Sequence, residues 1–378
     1  MAVSRRASPL AEIARLFLRL GLTAFGGPAA HLVLMQREVV ERRGWLSRDR
    51  FLDLVGACNL LPGPSSTQVA MALGFSRGGW PGLLTAGTCF IVPAVLATLT
   101  LAWGYVRFGG LPLAQGLLYG TKPVMAAIIV QAVWNLGQMA FRRRVLALAG
   151  LVCLAASLAG VPPIAILLIS GTLALLAAWR RSRPPAAFGF AWLPTALGGA
   201  AAGTATLSSL FLVFLKLGVL VFGSGYVLLA FLQADLVNRL HWINQAQLLD
   251  AVTAGQLTPG PVFATATFLG YLLHGWAGAA VATAAIFLPS FLMAGLVGAL
   301  AGRIRKSALA AAFLDGVNAA AVALMASVAI SLGRATLADA WTWALGLGSA
   351  LLLIRYRVNA TWLILAGAAL GIVRHLMG

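Results

Sequence analysis

Long apolar runs dominate the chain, and its polar positions collect in short clusters between them. Leu83–Trp103, Val145–Ala159 and Ile164–Trp179 are separated by turns rich in Gly, Pro or Arg. Runs of this kind cross a hydrocarbon core as helices. The pattern also repeats itself. Phe17-Leu-Arg-Leu-Gly21 matches Phe214-Leu-Lys-Leu-Gly218, Phe25-Gly26 matches Phe222-Gly223, and Trp45 matches Trp242. In the same register Asp53 falls on Asp250, and Leu60-Leu-Pro-Gly-Pro64 falls on Leu257-Thr-Pro-Gly-Pro261. After one residue of slippage Gly79-Trp-Pro-Gly82 meets Gly275-Trp-Ala-Gly278, and Pro93 meets Pro289. The chain therefore reads as a duplication, with halves 1–185 and 186–378 and a junction near Arg180–Pro185.

The distribution of arginine orients the two copies. Arg37, Arg42, Arg43, Arg48 and Arg50 crowd one segment of the first copy, whose counterpart keeps only Arg239. Arg303, Arg305 and Lys306 show the reverse bias, facing a stretch that holds only Arg107. Cytoplasmic loops attract Lys and Arg, so equivalent loops fall on opposite sides, as in the inverted repeats of secondary transporters. The expected fold is all-α and polytopic. Leu10–Val40 and Phe51–Phe75 form broken hairpins that re-enter without crossing. Spans follow at Pro81–Trp103, Leu113–Phe141, Val145–Ala159 and Pro163–Trp179, with one more near Phe188–Val213 before the second copy repeats the plan.

Composition agrees with this reading. Of 378 residues 61% are hydrophobic and only 10% charged, and mean hydropathy is +0.92, which leaves too little charge to cover a soluble protein of this size. The net charge of +18 sits at the ends of apolar segments, where it serves topology; nucleic acid is not an expected partner, whereas membrane lipids are. Cys58, Cys89 and Cys153 have no metal or redox spacing, and the four histidines show no ligand pattern; His31, after the first break, reads as interfacial packing, with titration during transport the less favoured alternative. No nucleotide-binding loop, nucleophile elbow or zinc motif is present. Neither an enzyme nor a cofactor is expected.

Chemistry is concentrated where apolar segments are interrupted at membrane depth, at Phe25-Gly-Gly-Pro28 and Leu61-Pro-Gly-Pro-Ser-Ser-Thr67, and again at Phe222-Gly-Ser-Gly225 and Thr258-Pro-Gly-Pro261. Bare backbone is tolerated in a membrane only inside protein or beside water. Helices starting at Pro28, Pro64 and Pro261 would turn free amides toward the breaks, an arrangement that suits anions. The candidate substrate-binding set is Gly26, Gly27, Asn59, Pro62, Gly63, Ser65, Ser66, Thr67, Gln68, Lys216, Gly223, Ser224, Gly225, Gln256, Thr258 and Gly260. It is neutral and rich in donors, with Lys216 as its cation. That fits a tetrahedral oxyanion better than a metal cation, which would want carboxylates. Arg19 and Lys216 are equivalent in the repeat, and Lys122 precedes Pro123 in an apolar helix; each is a candidate intramembrane charge. Asp53 and Asp250 either cap helix starts or carry a coupling proton, the capping role being favoured.

At these residues the sequence resembles the chromate ion transporter family in its long, two-domain form. The resemblance rests on Ala24-Phe-Gly-Gly-Pro-Ala-Ala-His31, Gly44-Trp-Leu46, Phe51-Leu-Asp53 and Leu61-Pro-Gly-Pro-Ser-Ser-Thr-Gln68. In the second copy it rests on Phe214-Leu-Lys-Leu-Gly218, Leu257-Thr-Pro-Gly-Pro261, Ala264-Thr-Ala-Thr-Phe-Leu-Gly270 and Ile286-Phe-Leu-Pro-Ser290. It implies a bacterial inner-membrane permease that exports chromate, powered by ion gradients or by exchange with sulfate. Transport of sulfate or another oxyanion, by a carrier or a channel, is the competing expectation. The oligomeric state stays open, with a homodimer admitted. The first copy departs from the family pattern at Ile91-Val-Pro-Ala94, where Leu-Pro-Ser is usual. The second has Gly-Ser-Gly where the first has Gly-Gly-Pro. The two halves are therefore not expected to bind alike.

Overall fold

The computed structural model describes residues 9–24, 27–59, 61–141, 144–181, 205–221, 227–304 and 308–377. Helices α1 (Pro9–Thr23), α2 (Gly27–Gln36), α3 (Arg48–Asn59), α4 (Ser65–Phe108), α5 (Pro112–Ala140), α6 (Arg144–Leu158) and α7 (Pro163–Arg181) form the first copy. Helices α8 (Leu207–Leu220), α9 (Val227–Leu232), α10 (Gln245–Leu257), α11 (Thr265–Ile304), α12 (Ala308–Thr336), α13 (Ala340–Arg355) and α14 (Ala360–Met377) repeat them. The expected extra span near Phe188–Val213 lies largely outside the described residues.

Glycine decides where the chain reverses. Within α4, Gly79 takes φ +60°, and the backbone turns back there, so that Gly74 on the first leg (65–77) packs directly on Gly82 of the second (80–108). Gly275, at φ +58°, does the same in α11, bringing Gly270 against Gly278. The hairpin expected to end at Phe75 and the span expected to begin at Pro81 are joined by a two-residue turn at Gly78 and Gly79, because paired glycines let the legs touch without side chains between them.

Both early segments of the first copy re-enter from one face. Glu12 at the start of α1 accepts a hydrogen bond from Trp45 Nε1 at 3.3 Å and pairs with Arg77 at 3.2 Å and Arg43 at 3.8 Å. The start of α1, the loop after α2 and the turn closing the first leg of α4 thus share one surface. Helices α1 and α3 run inward from it, and α2 and the first leg return to it. The second leg of α4 then crosses.

The second copy is inverted. Trp80, at the beginning of the crossing leg of α4, packs on Gly295, late in α11, and Gly87 faces Phe291. At the other end of that leg, Tyr105 reaches Asp250 of α10 at 3.1 Å and stacks beside Phe268 at 5.2 Å. The two long legs therefore run antiparallel, which places the second pair of hairpins on the opposite face. Outside this centre α5 packs on α14 and α12 on α7. Gly116 and Gly120 meet Gly367 and Gly371 in the first pair, and Gly316 meets Ser170 and Ala174 in the second. Small residues at four-residue spacing let membrane helices approach backbone to backbone.

Candidate functional site

The two proline-glycine breaks are packed crosswise. Gly63, at φ +113°, donates its N–H to the Val221 carbonyl at the end of α8, at 2.6 Å. Its counterpart Gly260, at φ +91°, donates to the Ala24 carbonyl after α1, at 3.0 Å. A Cβ on Gly63 would sit 3.0 Å from Ser290 Oγ, and one on Gly260 would sit 3.0 Å from Ala94 Cβ. Ala94 and Ser290 lie near the middle of the two long crossing legs, about 20 Å from either end at 1.5 Å per residue. Both breaks therefore sit at mid-depth.

The helix starts differ slightly from the expected ones. Pro64 and Pro261 occupy the capping positions before α4 and before a short 3-10 turn (Val262–Ala264) that leads into α11, and neither start carries a side-chain cap. Pro28 is the second residue of α2. The first turn of α4 is wholly inside the protein, with Thr67 and Gln68 at 0% exposure and Ser65 and Ser66 also buried. Gln68 Nε2 donates to the Pro62 carbonyl at 2.5 Å. Among the described residues Thr67 Oγ1, Gln68 Oε1 and Ser290 Oγ are buried without a hydrogen-bond partner, as are Gln256 Nε2 and Thr265 Oγ1. Thr258 is spoken for: its hydroxyl donates to the Gly255 carbonyl at 3.0 Å and lies 3.2 Å from Thr98 Oγ1. Asn59 is exposed at the end of α3, and Gly27 opens α2. Gly26, Gly223, Ser224 and Gly225 lie outside the described residues.

His31 is not an interfacial residue. It is 1% exposed, with Nδ1 3.2 Å from Ser66 Oγ and Nε2 3.0 Å from the Ala24 carbonyl. A neutral ring protonated on Nε2 satisfies both contacts, Nε2 donating to Ala24 and Nδ1 accepting from Ser66. Because Gly260 donates to the same Ala24 carbonyl, one hydrogen-bonded chain connects the start of α4 to the break of the other copy.

The intramembrane cations are paired. Lys216 Nζ lies 2.6 Å from Asp235 Oδ2, both nearly buried, and Arg239 Nε lies 3.1 Å from Asp235 Oδ1. The first copy repeats this network: Arg19 meets Glu38 at 3.7 Å, and Glu38 also holds Arg42 at 2.6 Å and Arg43 at 3.0 Å. Both acids stand on π-helical turns, Arg37–Arg42 and Gln233–Arg239, a wide helical form often found at functional sites. The sequence reading missed Glu38 and Asp235. The available signal was an acid followed four residues later by arginine, at matched positions of both copies.

The capping role expected for Asp53 and Asp250 is overturned. Asn244 caps α10 through a reciprocal bond with Gln247, and Asp250 lies well inside that helix. Asp53 lies equally far inside α3. Asp250 is 4% exposed, with Oδ1 3.4 Å from Lys122 Nζ and Oδ2 accepting from Tyr105. This buried cluster joins the first copy's α4 and α5 to the second copy's α10.

The family model described as "Chromate transporter" matches residues 11–175 and again 208–372. The chain is 34% identical over 374 residues to the chromate transport protein of Cupriavidus metallidurans, covering 97% of this chain and 93% of that one. It is 31% identical to the probable chromate transport protein of Synechococcus elongatus, covering 89% and 88%. Identity to the chromate transport protein of Pseudomonas aeruginosa is also 31%, covering 85% and 80%. No solved structure matches the chain.

Proposed function

The chain belongs to the chromate transporter family, and on that premise we propose that it exports chromate from the cytoplasm across the bacterial inner membrane. The observation that carries this reading is a pair of uncapped helix starts at mid-depth, each break packed against the opposite inverted copy. Each start presents amides and the positive end of a helix dipole, and the side chains at the first of them, Ser65, Ser66 and Thr67, are neutral donors. An oxyanion is held there without a metal. Motion of one copy against the other opens the centre first to one face and then to the other, as inverted repeats allow. The arginine-rich face, which carries Arg42, Arg43, Arg48, Arg50 and Arg77, is the cytoplasmic one under the positive-inside rule.

Export against a gradient needs a coupled ion, supplied in this reading by the proton gradient or by exchange with sulfate. Reconstituted protein should carry labelled chromate out of liposomes faster when an inward proton or sulfate gradient is imposed. Flux that only ever runs down the chromate gradient would make the protein a channel. The second reading, with sulfate or another oxyanion as the cargo, draws on the same neutral donor set, because chromate and sulfate are near-isosteric tetrahedral dianions. Chromate flux that persists under excess sulfate favours the first reading.

In this reading Asp250 carries the coupling proton, on the strength of its contacts with Lys122 and Tyr105. Asp250→Asn is expected to abolish the stimulation by a proton gradient while chromate–sulfate exchange continues. Proton stimulation equal to wild type in a well-expressed variant would remove Asp250 from the coupling path.

A further inference from the structure

The two breaks share a backbone path but not a chemistry. Ser65-Ser-Thr-Gln68 follows the first, and Val262-Phe-Ala-Thr265 follows the second. The residue that faces the glycine differs in the same sense, a hydroxyl from Ser290 at Gly63 and a methyl from Ala94 at Gly260. At the second break the Thr258 hydroxyl is engaged by Gly255 and Thr98; the unpaired Thr265 Oγ1 packs on Gly255 of α10, and the unpaired Gln256 Nε2 belongs to α10, before the break.

At the first break the unpaired groups include two hydroxyls, one from each copy. Thr67, Gln68 and Ser290 are each 0% exposed, and Thr67 Oγ1, Gln68 Oε1 and Ser290 Oγ have no hydrogen-bond partner among the described residues. Both Ser290 Oγ and the Gln68 amide border the space beside Gly63. Buried polar atoms left unpaired are costly and uncommon, so two unpaired hydroxyls, Thr67 Oγ1 and Ser290 Oγ, around one uncapped helix start mark a place that an anion completes.

Resting on the transport reading above, we propose that the oxyanion seat is one-sided: it lies at the first break, where Gly63 and the start of α4 from one copy meet Ser290 from the other. Thr67 and Ser290 donate their hydroxyls to the anion, and Ser65 stands beside them at the same helix start. Ser66 is held back, its proton committed to His31. Gln68 is a positioning residue: its Nε2 engages the Pro62 carbonyl and so keeps that lone pair off the anion. Its Oε1 only accepts and takes no part in holding the anion. Since α4 and α11 belong to different copies, relative motion of the copies pulls Ser290 away from Gly63 and the start of α4. The same movement that opens the centre therefore weakens the grip on the anion.

Ser290→Ala and Thr67→Val test this in proteoliposomes, by the concentration dependence of chromate flux and, separately, of sulfate flux. The first change is smaller than the native residue and the second is isosteric, so both are expected to fold. Each should raise KM about tenfold, the loss of one hydrogen bond to a charged ligand, with maximal flux within about twofold of wild type. Equilibrium dialysis of detergent-solubilised protein against chromate should show matching losses of affinity. KM and affinity unchanged in both variants, beside an active wild type, would overturn the one-sided seat and leave transport standing. A wild type that carries neither anion overturns the transport reading, and the seat with it.

Discussion

Lys216→Met is expected to lower stability by about 3 kcal/mol, because removing one member of a buried ion pair strands the other. Asp235 would keep only Arg239, at 3.1 Å, in place of the shorter 2.6 Å contact to Lys216. That contact pins α8 to the π-helical turn following α9, so its loss loosens α8, which ends at Val221, the acceptor for Gly63. Cells expressing the variant should accumulate more labelled chromate than cells expressing wild type. The double variant Lys216→Met/Asp235→Leu removes both charges and is expected to recover most of the thermal stability in detergent, along with measurable flux. Recovery of stability without flux would make Lys216 a ligand of the anion instead of a pin. The equivalent change in the other copy should be mild. Arg19 is 60% exposed at its side chain and 3.7 Å from Glu38, which keeps Arg42 and Arg43, so Arg19→Met should cost no more than about 1 kcal/mol.

A larger effect is expected from Gly120→Val. A side chain there would collide with the Gly367 carbonyl and the Gly371 backbone, neither of which can yield as a flexible side chain does. Overpacking typically costs about 1–3 kcal/mol, and more when backbone must move; this site falls at the upper end or beyond. In a membrane the close approach of α5 and α14 depends on packing, since lipid offers no hydrophobic force to drive the helices together. The variant should express poorly or lose its monodisperse form in detergent. Gly104→Ala provides the contrast, because an added Cβ there meets nothing within 4 Å. It should be neutral, or slightly stabilising through helix propensity. A Gly120→Val protein as stable as wild type would contradict the α5–α14 contact itself.

Much of the architecture was legible in the residues. The duplication rests on Gly, Pro and Trp held in register, and these residues fix turns, breaks and interfaces more tightly than any apolar residue does. Arginine bias gave the inversion, which the antiparallel packing of Trp80 on Gly295 bears out. The re-entrant hairpins followed from apolar segments broken near their middles. Helix ends were less legible: Asn244, not Asp250, caps α10, since a cap depends on the local backbone path and not on the nearest acid.

By itself, then, the sequence determined a membrane class, two inverted copies, and the places where each copy's helices break. These follow from solvent and backbone chemistry, namely hydrophobic length, the lost donor of proline and the freedom of glycine, all of which act within a few residues along the chain. Partnership was decided only by the tertiary structure. Lys216 chose Asp235 and Lys122 chose Asp250 because a charge in low dielectric must find its opposite in space, wherever in the sequence it lies. Ser290 reached Gly63 for a related reason: crosswise packing of the two copies carries a residue from the middle of α11 to the break of the other half.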